Sequence, residues 1–366
     1  MRKKLFSTTT ILFAAFIFNA SPAFAVDLSK ITLNGFVDLE FSSADNAEGN
    51  YNSSFHQHHL SFLLDVPVTD KLSAYTHIEF DHGTNINTAN ANQTTASRAG
   101  GDVIVENAFI RYASSDAVQF RFGRMLTPFG YYNEIHDATP AIISIAIPAA
   151  INSMEERGGI PMFPKWSTGL NVLGTVVMGY STLDYTIYVG NGENPAGWND
   201  SQSDANTNKA FGARVNFQPV EYIQIGASVY SGDKASQTTT IAPIQSAPHT
   251  TGGILLSVNV DSFFFLSEYA SSQVEGHSAS AGYGQLTYVL SRRFSPYYRF
   301  EYSDPDGSVS DDNWIEHIAG VNFRPMDMAN LIFKFELSDN KRGANNAAVK
   351  NDLNYKEARF AVTLYF

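Results

Sequence analysis

Apolar residues recur at every second position along most of this chain. At 358–366, ARFAVTLYF, the side chains of Phe360, Val362, Leu364 and Phe366 share one side of an extended backbone. Arg359, Thr363 and Tyr365 take the other side, which is the two-residue period of a strand with one apolar and one wetter face. The run 31–43 repeats the pattern, with Leu33, Gly35, Val37, Leu39 and Phe41 opposed to Asn34, Asp38 and Glu40. Further strands are predicted near 53–65, 71–82, 102–113, 118–125, 166–176, 183–190, 209–217, 222–231, 251–259, 263–271, 280–290, 294–303, 314–324, 329–338 and 354–366. The total is about sixteen, within a range of 14–18. The runs 102–113 and 263–271 show no single phase, and no long helical period occurs beyond the first 25 residues.

The connections alternate in length. Short turns at 67–70, 114–116, 219–220, 261–262, 291–293 and 325–327 separate longer stretches at 83–101, 126–165, 191–208, 232–250, 304–313 and 339–353. Most of the long stretches are rich in Asn, Gly, Ser and Asp, as solvent loops are. Tight turns on one rim and long loops on the other predict an all-β, transmembrane, antiparallel up-and-down barrel of the bacterial outer-membrane type. A secreted sandwich or solenoid would bury one face of each strand equally well. The loop asymmetry, the aromatic ending and the unbroken strand series favour the barrel. In a bilayer every backbone N–H and C=O must be paired, so the last strand has to meet the first.

The beginning of the sequence fits export. Arg2, Lys3 and Lys4 precede the apolar run 11–18 and the small-residue site ending at Ala25. Residues 1–25 therefore read as a signal peptide and 26–366 as one barrel domain. The apolar run is far short of the ~20 residues a spanning helix needs. The whole chain of 366 residues carries a formal charge of −12, and without the three leader cations residues 26–366 carry −15. That balance excludes nucleic acid as a partner, since phosphates demand a basic surface. With no cysteine, disulfides and thiolate metal sites are excluded too.

Charge then gives the interior a character. Asp38, Glu40, Glu79, Arg121, Arg214, Arg299, Glu301, Lys334, Glu336 and Arg359 fall on the faces turned from the apolar stripe. Ionised groups of both signs against lipid would each cost a few kcal/mol, whereas facing water in a wide lumen they cost little and can set ion preference. The third long connection, 126–165, stands apart with five prolines and an apolar middle, AIISIAIPAAI. It is too apolar for disorder and too long to lie idle in water, so it is expected to fold into the lumen and narrow it. Its charged and titratable groups, Glu134, His136, Asp137, Glu155, Glu156, Arg157 and Lys165, are the predicted constriction. Four carboxylates against two cations there suggest a preference for cations.

Two resemblances sharpen the expectation. The alternating strand closing on Phe366 resembles the terminal signature of outer-membrane β-barrels, which implies recognition by the barrel assembly machinery. The stretch 120–130, FRFGRMLTPFG, resembles the strand end and G-x-x-x-x-P-F-G turn of bacterial porins, especially the phosphate-selective O and P type. That resemblance covers the chain after the leader and implies a homotrimer in the outer membrane passing small hydrophilic solutes. The cationic ladder that gives such porins their anion selectivity has no match here.

An outer-membrane enzyme is the alternative. Histidines at 55–60, FHQHHL, and the stretch EIHD at 134–137 carry metal-binding and acid–base residue types. A hairpin through Pro67 would set His59 opposite His77, with Glu79 two residues on. No H-E-x-x-H or G-x-S-x-G occurs. Metal binding by His56, His58 and His59 is left open, and no cofactor is implied. An adhesin or receptor has only the polar loops to support it. The reading is a passive diffusion channel in the lipid bilayer of the outer membrane, with anion or phosphate selectivity as the competing version.

Overall fold

The alternation closes on itself. In the computed structural model sixteen strands form one antiparallel sheet in which β1 (Thr32–Asp45) pairs with β16 (Asn354–Tyr365) and each other strand pairs with its sequence neighbours. The structure describes residues 27–45, 51–81, 102–135, 138–152, 154–159, 161–193, 208–236, 245–274, 276–325, 328, 330–346 and 354–366. The expected signal peptide, 1–25, lies outside them. Between the first and last strands run β2 (Tyr51–Pro67), β3 (Leu72–Asp81), β4 (Asp102–Ser115), β5 (Val118–Leu126), β6 (Trp166–Met178), β7 (Ser181–Asn191) and β8 (Lys209–Val220). They are followed by β9 (Ile223–Ser236), β10 (Gln245–Val260), β11 (Phe263–Val274), β12 (His277–Tyr288), β13 (Phe294–Asp304), β14 (Trp314–Phe323) and β15 (Leu331–Arg342). All sixteen expected strands are present, displaced only at their ends. No helix among the described residues is long and apolar enough to cross a membrane, so the spanning elements are strands.

The two faces differ in kind. Outside, Leu33, Leu39, Phe122, Ile187, Phe211, Ile225, Ile254 and Leu337 are each at least half exposed. Inside, Asp38, Glu40, Glu79, Arg299, Glu301, Lys334 and Glu336 are all 5% exposed or less. An apolar exterior around an ionised interior is the inverse of a soluble core, and it suits a barrel with lipid around it.

The buried apolar cluster sits inside the barrel. Phe129, Tyr132, Ile142, Ile151, Met154 and Phe163 from the segment between β5 and β6 pack on Tyr188, Tyr230, Leu255, Leu266 and Tyr283 of the wall. That explains the missing phase of β11, whose inward residues Leu266 and Ala270 are apolar because they meet the infolded segment. The phase of β4 fails for a different reason. His77 pairs with Asn107 and Ile78 with Val105, so Glu106 is an extra residue and the alternation slips there.

One expected pairing is corrected. His59 stands opposite Asp81, and His77 opposite Leu63. The turn encloses Val68 to Leu72, with the Val68 and Thr69 amides donating to the Leu72 carbonyl. The innermost pair is Pro67 with Ser73, so the turn sits later in the chain than the expected 67–70, and every cross-strand partner along β3 moves with it.

Candidate permeation pathway

The porin-like stretch is where the chain turns inward. The Thr127 amide donates to the Lys165 carbonyl and closes the neck of the segment. Phe129 stacks on Phe163 with ring centroids 4.2 Å apart. Gly130 takes a positive φ of 61°, and a Cβ there would lie 2.0 Å from Oε2 of Glu268. Only glycine lets the backbone turn and approach the far wall this closely. The Gly130 amide then donates to Ser228 Oγ (3.0 Å) and the Tyr131 amide to Glu268 Oε2 (2.9 Å).

The rest of the segment is held by charges of the wall. The Lys334 ammonium donates to the carbonyls of Thr139, Ile142 and Ser144 at 2.6–2.8 Å. Glu336 accepts from the Ile145 amide (2.6 Å), Glu301 accepts from the Ala150 amide (2.8 Å), and the Arg299 guanidinium donates to the Ala146 carbonyl (3.1 Å). Arg157 closes the arc by pairing with Glu301 (2.8 Å) and Glu316 (2.6 Å) beneath the ring of Trp314. Arg157 is 2% exposed, so this is a buried, charge-assisted anchor. Apolar docking alone would leave these backbone groups unsatisfied, and the wall charges supply their partners.

The residues singled out in the sequence thus divide. Arg299, Glu301, Lys334 and Glu336 do face the lumen, yet they are covered by the segment they hold. Glu134 bridges Arg121 (3.4 Å) and Arg214 on β5 and β8, so its charge is matched by two guanidinia. Lys165 lies 3.9 Å from Glu106 and over the Trp166 ring. Glu155 and Glu156 occur in a single 3-10 turn, Met154–Arg157, and their side chains lie outside the described residues, as do His136 and Asp137. Asp38 and Glu40 lie on β1 and Glu79 on β3; Glu40 and Lys334 stand on either side of Ala361 of β16. Arg359 reaches Glu40 (3.9 Å) and Glu357 (2.8 Å) on the same arc.

Several residues of the site escaped sequence reasoning. Glu106 and Glu268 are inward acids on the two strands without a single phase, and Glu316 is a third on β14. A further network joins four segments. His249 Nδ1 contacts Glu193, His249 Nε2 lies 2.9 Å from Ser272 Oγ, and Thr251 donates its hydroxyl to the Met162 carbonyl. Serine, histidine and carboxylate in this order are the elements of a hydrolytic triad. Here His249, Ser272, Thr251 and Glu193 are at most 2% exposed, and the network ends on the backbone of the infolded segment. It ties Met162 to β10.

No family model matches the chain, and no curated protein matches it in sequence. Solved structures do match in shape. An anion-selective porin from Comamonas acidovorans superposes with a TM-score of 0.63 over 92% of this chain and 99% of that one, at 10% identity. The chain shares its fold. Salmonella typhi OmpF gives 0.61 over 92% and 97% at 13% identity, and the trimer form of OmpT, an outer membrane protein of Vibrio cholerae, gives 0.57 over 92% and 99% at 12%. At these identities the likeness is one of architecture.

Proposed function

We propose that residues 26–366 form a porin of the bacterial outer membrane, an aqueous channel through which small hydrophilic solutes and ions diffuse passively. The observation that carries this reading is the segment 126–165, drawn into a sixteen-stranded barrel and fixed to its inner wall by Lys334, Glu336, Glu301 and Arg157. A barrel of this size leaves a lumen too wide for wall side chains to fill, and an inward segment narrows it. The apolar outer face supplies the contact with lipid. Residues 1–25 act as the signal peptide, and Phe366 belongs to the signal read by the assembly machinery. The trimeric state of a structural neighbour supports a homotrimer.

A preference for cations is part of the proposal. Residues 26–366 carry fifteen more acidic than basic groups, and Asp38, Glu40, Glu79 and Glu106 crowd the wall of β1–β4. Carboxylates in a narrow space bounded by protein are screened less than in bulk water and concentrate cations. The competing anion-selective reading rests on Arg121 and Arg214, two cations against the single Glu134. The buried state of the Ser272–His249 pair argues against hydrolysis.

The test is single-channel conductance and reversal potential in a planar bilayer with a salt gradient. Ohmic conductance with cation selectivity, reduced in Glu155→Gln/Glu156→Gln, is expected. Absence of conductance overturns the channel. Anion selectivity overturns the acidic filter, an unchanged permeability ratio in the variant removes Glu155 and Glu156 from it, and either result leaves the channel standing.

A further inference from the structure

We propose that Asp38, His58 and His59 form a binding site for a divalent transition-metal ion, zinc-like in ligand preference, on the inner wall of the barrel. The inference stands on local geometry and is independent of the channel reading.

Its origin is a β-bulge. Asp38 pairs with His59 and Leu39 with Gln57, so His58 is the extra residue of β2. In an unbroken strand adjacent residues point to opposite faces, and one of the two imidazoles would face lipid. The bulge turns both inward, with ring centroids 3.9 Å apart. Bulges re-aim side chains in this way beside functional sites.

The donor atoms have ligand spacing. One atom each from Asp38, His58 and His59 lies within 4.8 Å of the others. Asp38 Oδ2 is 3.3 Å from His59 Nδ1 and 4.0 Å from His58 Nδ1. Four ligands held about 2.0–2.2 Å from a tetrahedral ion stand roughly 3.3–3.6 Å apart, so the atoms need move little to enclose one. Glu40 Oε2, 3.4 Å from His58 Nδ1, is placed to supply a fourth ligand.

The supporting contacts suit the same role. Asp38 Oδ1 accepts the His59 backbone amide at 2.6 Å, which fixes the carboxylate with Oδ2 turned to the imidazoles. Asp81 Oδ1 lies 3.8 Å from His59 Nε2, the nitrogen remote from the proposed ion. A carboxylate on the second ring nitrogen orients a metal-bound histidine and raises its basicity. Asp38 and His59 are 1% and 3% exposed, which weakens solvent screening. Arg359 offsets part of the Glu40 charge at 3.9 Å. Two imidazoles with one or two carboxylates favour zinc, nickel, copper or cobalt over calcium and magnesium, which take all-oxygen sets.

The experiment uses the folded, untagged protein in detergent, because a polyhistidine tag would add ligands. Zn2+ is titrated calorimetrically, and Co2+ is added as a spectroscopic probe. One Zn2+ per chain and a four-coordinate Co2+ visible spectrum are expected. His58→Ala/His59→Ala should abolish the site, and Asp81→Asn should weaken it about 10- to 100-fold. His277→Ala, at the exposed pair with Asp306, should bind as the native chain does. Retained heat-modifiable migration on gels establishes that each variant is folded. No stoichiometric Zn2+ uptake by the native protein, a Co2+ spectrum of the aquo ion, or unchanged affinity in the folded double variant overturns the site. The Co2+ spectrum needs no variant, so the proposal remains testable if the double variant fails to fold.

Discussion

Gly35 and Phe366 exchange both of their main-chain hydrogen bonds, each 2.9 Å long, across the seam between β1 and β16. The phenyl ring lies over the glycine. A Cβ at position 35 would meet Phe366 Cζ and the Ser61 carbonyl oxygen, each at 2.6 Å. The missing side chain is therefore the seat of the ring, and the ring also packs edge-on against Phe62. Gly35→Val is expected to destabilise closure by about 1–3 kcal/mol through overpacking. The midpoint of urea unfolding in micelles reads it, and an unchanged midpoint would show that the seam tolerates displacement of Phe366.

Deleting Phe366 addresses assembly separately from stability. The deletion removes one paired residue of an otherwise intact seam. Membrane yield should fall sharply, while the protein that does assemble conducts as the native channel does. Equal yields would remove Phe366 from the assembly signal.

Arg157 anchors the inward segment through Glu301 and Glu316. Arg157→Ala takes the cation from Glu316, while Glu301 keeps Arg299 at 2.7 Å; breaking a buried pair typically costs about 3–5 kcal/mol. The barrel strands do not depend on this pair, so the loss should appear in the segment. Larger and noisier single-channel conductance is expected, with global unfolding little changed. A native conductance level would assign the bore to other contacts.

Gly130→Ala combines a left-handed backbone with a clash against Glu268. The conformational strain alone is about 1–2 kcal/mol, and the displaced carboxylate would release the Tyr131 amide. Limited proteolysis between Phe129 and Arg157 should accelerate relative to the native protein. Equal cleavage rates would mean that the Phe129–Phe163 stack suffices to hold the turn.

Asp306, in the connection between β13 and β14, responds to pH. Hydrogen bonds from the Ser308 hydroxyl and amide, with the neighbouring His277, hold its carboxyl below the ordinary 3.8. A depressed folded value means that the carboxylate stabilises the turn fully above 3.8 and loses that contribution as pH falls through the lower folded value. Pepsin cleavage within 305–313, normalised at each pH to a reference peptide, should therefore rise more below pH 3.8 in the native protein than in Asp306→Asn. Parallel profiles would remove Asp306 from the turn's acid response.

Strand number and order were legible in the sequence because lipid outside and charge inside enforce a strict two-residue period. The period failed where the physics changed. At Glu106 an extra residue shifts the phase. Along β11 the infolded segment makes the interior apolar, so both faces of the strand look alike. The inward path of 126–165 was legible from its apolar middle, AIISIAIPAAI. Its anchors were not, because the contacts of Ile145 with Glu336 and of Thr139 with Lys334 span 191 and 195 residues. The pairing of His59 with Asp81 hinged on a turn whose length composition does not fix. The bulge at His58 left no signal beyond three histidines in four residues.

The distance between the inward segment and its anchors sets an order of construction. Gly130 needs Ser228 of β9, Tyr131 needs Glu268 of β11, and residues 139–145 need Lys334 and Glu336 of β15. These partners lie on the ninth, eleventh and fifteenth of the sixteen strands, so the segment is not fully docked until β15 is in the wall. Full docking of the segment thus depends on β15, and the wall charges that look from the sequence like a sieve are the latch that holds it.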